Sequence, residues 1–397
     1  MRILGLAVAL AVAAAISVLG RPARADGVRA NEWALAALQA PQAWAQSRGE
    51  GVTVAVLDTG VDAGHPDLTG QVTTGADLAG GGARPGDPYW GQHGTAMASA
   101  IAGHGHGPGG GDGLMGIAPA ARILSVRVIP EDNDPGRSAV ARQSAPLAQG
   151  IRYAVDNGAQ VINMSLGGSG ESPRVAGDDD QAIQYAIAHG VVVVASAGNG
   201  AQASNHTEFP AAFAGVIAVA ATDRAGHRAT FSTHGWATSV AAPGVDILGA
   251  RPGGGYLVGD GTSPAAAFVS GVCALIRSRF PRLSPAQVRQ VLERTATGQP
   301  AGQYTEDLGW GLVQPAAALR LAASLSPQAP NPSPASYRTR LFGDGSLPVV
   351  GFGWLAGQAL LGLAALPAGG VCLVGAVLVA VRPGRKARAP HVAWRRR

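Results

Sequence analysis

Two cysteines among 397 residues are too few for a disulfide-stapled scaffold, so any fold must rest on an ordinary apolar core. Cys273 falls in an apolar helical pattern and Cys372 in a C-terminal apolar run. They should lie in different phases, protein core and membrane, which argues against a bond between them, and both read as small apolar fillers. Charge is sparse too, at 14% of residues. The formal net charge of +5 misleads, because Arg2, Arg21 and Arg24 supply three cations and the tail from Arg382 supplies seven more with no acid. Without those ten the rest of the chain carries −5. The high pI is therefore no nucleic-acid footprint, and no nucleic-acid partner is expected. From Gly345 to Val381 there is no charged residue at all. No internal repeat is present.

What is there divides the chain into unlike stretches. Arg2 precedes an apolar run from Ile3 to Leu19, and Ala23-Arg24-Ala25 offers an A-x-A cleavage site, so residues 1–25 read as an export signal. Residues 26–50 form an N-terminal extension and 51–322 the main domain. Residues 323–346 are Pro/Ser/Ala-rich, cannot bury a core and read as an extended linker. Residues 347–381 exceed the ~20 apolar residues that cross a bilayer, with a kink expected at Pro367-Ala368-Gly369-Gly370. The basic tail 382–397 (Arg382, Arg385, Lys386, Arg388 and Arg395–Arg397) should stay in the cytoplasm by the positive-inside rule. The expectation is a cell-membrane protein with one C-terminal transmembrane helix and its main domain outside.

Within that domain, apolar runs recur at Val52–Leu57, Ile123–Val128, Val161–Met164, Val191–Ala195 and Val216–Ala220. Their lack of alternation predicts strands covered on both faces, hence parallel. Helical patterns at Ala96–Ala102, Ala145–Asn157 and Asp180–His189 lie between them, and Ser284-Pro285 opens a further helix. The fold class is α/β, a doubly wound, mostly parallel sheet flanked by helices. The glycine-rich stretches Gly80–Gly86 and Gly103–Gly113 read as surface loops. Sites in such sheets form beyond the carboxyl ends of the strands. Asp58, Ser165 and Asn199 each close or follow one of the runs, so three polar groups converge on one edge.

Three short motifs carry the chemistry: Val-Ala-Val-Leu-Asp58-Thr59-Gly60, Gln92-His93-Gly94-Thr95-Ala96-Met97-Ala98 and Gly261-Thr262-Ser263-Pro264-Ala265-Ala266. An acid, a base and a hydroxyl in the order Asp…His…Ser match the subtilisin arrangement, and the chain resembles a subtilisin-like serine peptidase from about Gly51 to Leu321. The resemblance implies that Ser263 is the nucleophile, that His93 takes its proton, and that Asp58 fixes the imidazole tautomer. Asn199, in Ala197-Gly198-Asn199-Gly200, matches the oxyanion-hole asparagine. Ser165, Leu166 and Gly167 match the strand that pairs with a peptide substrate. Two departures stand out: Ala96 and Ala267 occupy positions where many members carry histidine and proline. Asp62, His65 and Asp67 read as turn-shaping residues. His104 and His106 lack the cysteine or acidic partners of a metal site.

The span before the first strand is too short for a folded inhibitory prodomain. Its Asn31-Glu32-Trp33-Ala34-Leu35 and Ala43-Trp44-Ala45 segments, Arg142-Gln143-Ser144 and the C-terminal anchor are similar to mycosins, the membrane-anchored peptidases of type VII secretion systems. That resemblance implies a protein or peptide substrate and association with a type VII secretion membrane complex. It implies no cofactor; structural calcium, often bound in the family, has no acidic cluster here to which it can be assigned. Two alternatives are a surface-tethered degradative subtilase and a structural component of a secretion complex that uses the peptidase fold as a scaffold.

Overall fold

The computed structural model describes residues 27–135, 146–167, 173–203, 205–298 and 303–325. The proposed export signal, the anchor, the basic tail, Arg142-Gln143-Ser144 and nearly all of the linker lie outside these residues. Among the described residues no helix is long and apolar enough to cross a membrane.

Three short helices, α1 (Gly27–Ala30), α2 (Trp33–Ala37) and α3 (Ala40–Trp44), precede the first strand, β1 (Thr53–Asp58). The chain then forms β2 (Val72–Asp77), α4 (Gln92–Ala102), a ribbon of β3 (His104–His106) and β4 (Asp112–Met115), and β5 (Arg122–Arg127). There follow α5 (Pro146–Asp156), β6 (Val161–Met164), α6 (Pro173–Ala188), β7 (Val192–Ser196), β8 (Ile217–Thr222) and β9 (Thr238–Pro243). A hairpin of β10 (Ile247–Arg251) and β11 (Gly255–Gly259) leads into α7 (Thr262–Arg279), α8 (Pro285–Thr295) and α9 (Pro315–Ala323).

Seven strands form one sheet in the order β2-β5-β1-β6-β7-β8-β9, with every neighbouring pair parallel. The absence of alternation in the sequence has a simple cause: each central strand divides its side chains between two cores. Val54 and Val56 of β1 pack with α4 and α7, whereas Ala55 and Leu57 pack with α5 and α6. Val192 and Val194 of β7 repeat the first pattern, and Val193 and Ala195 the second. The strand order reverses direction between β1 and β6, so a crevice opens beyond their carboxyl ends.

One element differs from expectation. The Gly103–Gly113 stretch contains the β3–β4 ribbon rather than a bare loop. The helix bearing Ser263 begins at Thr262, with Pro264 in its third position. Proline is tolerated there, because the first helical N–H groups have no partner within the helix. At α8, Ser284 and Gln287 form a reciprocal capping box behind Pro285.

The N-terminal helices are strapped to the domain. Leu35, Leu38, Ala40 and Ala43 are buried in the larger core. The Trp44 indole donates to Ile117 O (2.8 Å), the Trp33 indole to Val245 O (3.2 Å), and Ser47 Oγ to Leu275 O (2.9 Å). The Arg29 guanidinium is clasped by the carbonyls of Gly110, Asp112 and Gly113 at 2.9–3.2 Å.

Candidate active site

Asp58 ends β1 and is fully buried. Thr59 N–H donates to its Oδ1 at 2.7 Å, and His93 Nδ1 lies 2.8 and 2.9 Å from the two carboxylate oxygens. A carboxylate can only accept, so Nδ1 carries the proton and Nε2 is left to act as a base. His93 is the second residue of α4, whose entry is fixed by Gly91 in the left-handed region (φ 72°). Gly94 must be glycine: any Cβ there would strike the Gly60 carbonyl and crowd Asp58. Behind this turn the buried Arg127 guanidinium lies over the Trp90 ring, 5.3 Å from its centroid, and donates to Asp77 and to Gly80 O.

The His93 ring is 37% exposed, toward the cleft. Burial disfavours its charged form, but the Asp58 carboxylate outweighs that through charge and hydrogen bonding. Glu131 and Asp132 add to it, and the pKa is raised to about 9. Glu131 also accepts the His93 backbone N–H at 3.2 Å, so a carboxylate from the loop after β5 holds the start of α4.

Ser263 is the second residue of α7, a helix buried along nearly its whole length. Its Oγ donates to Ser165 O at 3.2 Å, and Ser165 Oγ donates to Ser263 O at 2.8 Å. The chain continues through Asn163, whose amide donates to Ser165 Oγ at 3.1 Å and whose Oδ1 accepts from Ser270 Oγ at 3.0 Å. The end of β6 and the start of α7 are thus tied together. Ser263 and His93 line one cleft of about 690 Å³ without a hydrogen bond between them. Turning the hydroxyl from Ser165 O toward His93 Nε2 is the first thing the chemistry requires.

Asn199 follows β7 and lines the same cleft. Its Oδ1 accepts from Thr262 N–H (2.9 Å) and Thr262 Oγ1 (3.0 Å), which fixes the amide with its NH₂ group toward the Gly261 turn. Thr262 Oγ1 also accepts Gly198 N–H at 3.1 Å. The helix-start N–H of Ser263 has no partner within α7, so two donors meet at the Gly261 turn. Leu166 and Gly167 line the cleft with Ser165, and so do Ile247, Leu248 and Leu257.

Sequence reasoning brought Asp58, Ser165 and Asn199 to one sheet edge, and the family resemblance added His93, Ser263, Leu166 and Gly167; the structure places all of these on the cleft except Asp58, which is buried behind His93. It missed Thr262, Glu131 and Glu208. Thr262 stands inside the Ser263 motif and could have been found; the two glutamates come from loops with no periodic signal. Asp62, His65 and Asp67 lie off the cleft. Asp62 accepts Gly64 N–H and Gly253 N–H, and His65 is buried between Asp67 N–H and Gly255 O. Asp67 accepts from Leu114 N–H and the Tyr256 hydroxyl and pairs with His106 Nδ1 at 2.6 Å. Among the described residues no group of three or more His, Cys, Asp or Glu is placed to hold a metal. Cys273 is buried in α7, and burial pushes its thiol up to about 12, far from a usable nucleophile.

Comparison with known proteins gives a consistent picture. The profile of the Subtilase family matches residues 49–311. Fervidolysin from Fervidobacterium pennivorans is 38% identical over 313 residues, covering 72% of this chain but only 43% of its own length. Subtilisin BL from Lederbergia lenta is 37% identical over 289 residues, covering 72% of this chain and 98% of its own. Among solved structures, the MycP3 protease from the type VII (ESX-3) secretion system superposes with a TM-score of 0.60 at 32% identity, covering 76% of this chain and 90% of that one.

Proposed function

The chain belongs to the subtilase family and is a subtilisin-like serine peptidase, and from that premise we propose that Asp58, His93 and Ser263 are its acid, base and nucleophile. The observation that carries the reading is the His93 imidazole held at 2.8 Å by a fully buried Asp58, with Ser263 and Asn199 on the same cleft. Neutral His93 takes the Ser263 proton at Nε2 as Oγ attacks the peptide carbonyl. Asp58 stabilises the imidazolium, and Asn199 Nδ2 with Ser263 N–H receives the developing oxyanion. The imidazolium then protonates the leaving amine, and water, deprotonated by the same histidine, releases the acyl group. Ser165–Gly167 supplies the backbone edge along which the peptide lies.

We further propose that the enzyme is anchored in the cell membrane by the 347–381 run, with the catalytic domain outside and the tail 382–397 in the cytoplasm. A mycosin-like role beside a type VII secretion complex is supported by the N-terminal strap and by the likeness to MycP3. The higher identity to fervidolysin favours a second reading, a surface-tethered degradative enzyme. Ser263→Ala tests the site, and deletion of the whole chain tests the role. Peptide cleavage should fall to background with the fold retained, and wild-type turnover by this variant would overturn the site. A mycosin-like protein would give a secretion defect on deletion of the whole chain, whereas a degradative enzyme would give none.

A further inference from the structure

Beside Asn199 the cleft narrows to a slot with glycine on both walls, and a carboxylate stands in it. Gly167 ends one wall; Gly198 and Gly200 belong to the other. A Cβ at Gly198 would collide with Glu208 Cγ and come within 2.8 Å of its Cδ. A Cβ at Gly167 would lie 3.2 Å from Glu208 Oε2, and one at Gly200 3.7 Å from Oε1. The absence of side chains on both walls is thus what makes room for Glu208. Its carboxylate is half-buried and, among the described residues, makes no hydrogen bond or ion pair. Burial pushes its pKa upward, only partly countered by His206. A charge in that state is incomplete without a partner.

The rest of the cleft has the same bias. Glu131, Asp132, Glu208 and Asp260 line it, with no lysine or arginine among the lining residues and His93 as the one titratable base. A peptide whose scissile carbonyl sits over Ser263, its oxygen toward Asn199, sends the side chain of that same residue past Asn199 into the glycine-walled slot. We propose that Glu208 is a specificity-determining residue which selects arginine or lysine immediately before the scissile bond. The substrate class is therefore basic peptides, bound by a charge-assisted hydrogen bond to Glu208 in a cleft of negative potential. The proposal rests on the serine-peptidase site above and deepens it.

The test uses fluorogenic peptides that differ only in the residue before the cleaved bond, arginine against methionine, an unbranched neutral residue of similar length. The wild-type ratio of kcat/KM should favour arginine by about 10- to 100-fold, the range expected for a hydrogen bond to a charged group. The ratio should shrink as salt is raised. Glu208→Gln should bring it close to one, and Glu208→Lys should turn the preference toward a glutamate peptide. Because each ratio is read within a single enzyme, a general loss of activity in a variant does not blur the result. The wild-type ratio and its salt dependence decide the matter even if a variant fails to fold. A wild-type enzyme that cleaves the methionine peptide at least as well, or a Glu208→Gln enzyme that keeps the arginine preference, overturns the proposal. If that cleavage is abolished by Ser263→Ala, the serine-peptidase reading survives the failure; cleavage that persists in Ser263→Ala would overturn both.

Discussion

Thr262→Val changes a hydroxyl into a methyl at nearly constant volume, and the structure says what each lost bond does. Thr262 is fully buried, and its Oγ1 both accepts Gly198 N–H at 3.1 Å and donates to Asn199 Oδ1 at 3.0 Å. The first loss strands a buried N–H, which costs about 1–3 kcal/mol of stability. At about 2–4 °C per kcal/mol for a domain of ~150–250 residues, and somewhat less for a larger one, the melting point should fall by roughly 2–10 °C. The second loss removes one of two bonds that orient Asn199, since Thr262 N–H still reaches Oδ1 at 2.9 Å. Removing an oxyanion donor outright costs about 2.7–4 kcal/mol, a figure established on subtilisin itself. Loosening it should cost a fraction of that, about 1–2 kcal/mol, or roughly 5- to 30-fold in kcat. Thr262 is fully buried, so KM should hardly move. Melting is best followed in the Ser263→Ala background, where self-digestion cannot intrude, and kinetics with the nucleophile intact. An unchanged kcat beside the lowered melting point would mean that Asn199 does not depend on Thr262. A raised KM at constant kcat would place Thr262 in substrate binding instead.

Three further outcomes can be measured. His93 serves as a base only when neutral, and its pKa is raised to about 9; kcat/KM should therefore climb with pH through that region, well above 6.5. Glu131→Gln keeps an acceptor for His93 N–H but removes a charge, so the limb should move to lower pH, and an unmoved profile would contradict the electrostatic account. Arg127→Met takes a fully buried cation from the buried Asp134, from Asp77, from Gly80 O and from the Trp90 face, and should cost about 3–5 kcal/mol by denaturant titration; no loss would show that the ion pairs contribute nothing net. Arg29→Met should expose the strap to limited proteolysis, so that a protease pulse clips residues 27–50 faster than in the parent, whereas equal rates would mean that the three carbonyl contacts do not hold it.

The central strands were legible because burial on both faces leaves an unbroken apolar run, as at Val161–Met164, which matches β6 residue for residue. The edge strand β2, Val-Thr-Thr-Gly-Ala-Asp, was not, since it is largely exposed and only half apolar. The start of α4 was placed late because Gln92-His93-Gly94 has poor helix propensity, and what starts that helix is tertiary, Gly91 together with the reach of Glu131. The residues proposed to react were readable because that chemistry demands fixed local motifs. Glu208 was not, because its meaning lies in which glycines it faces across the cleft, and spacing along the chain does not carry that.

The N-terminal strap also sets an order of events during synthesis. Residues 27–50 are made first, yet the Trp33 indole must find the carbonyl of Val245, 212 positions later, and Ser47 must find Leu275, 228 positions later. Contacts that close loops of such length form late, because chain entropy opposes them until the intervening structure has shortened the path. Arg29 and Trp44 find their carbonyls within 84 positions, but the Ser47 hydroxyl waits for its acceptor until α7, the helix that begins beside Ser263, has been made. Ser263 and the strap that braces its helix thus depend on contacts of the same late-made helix.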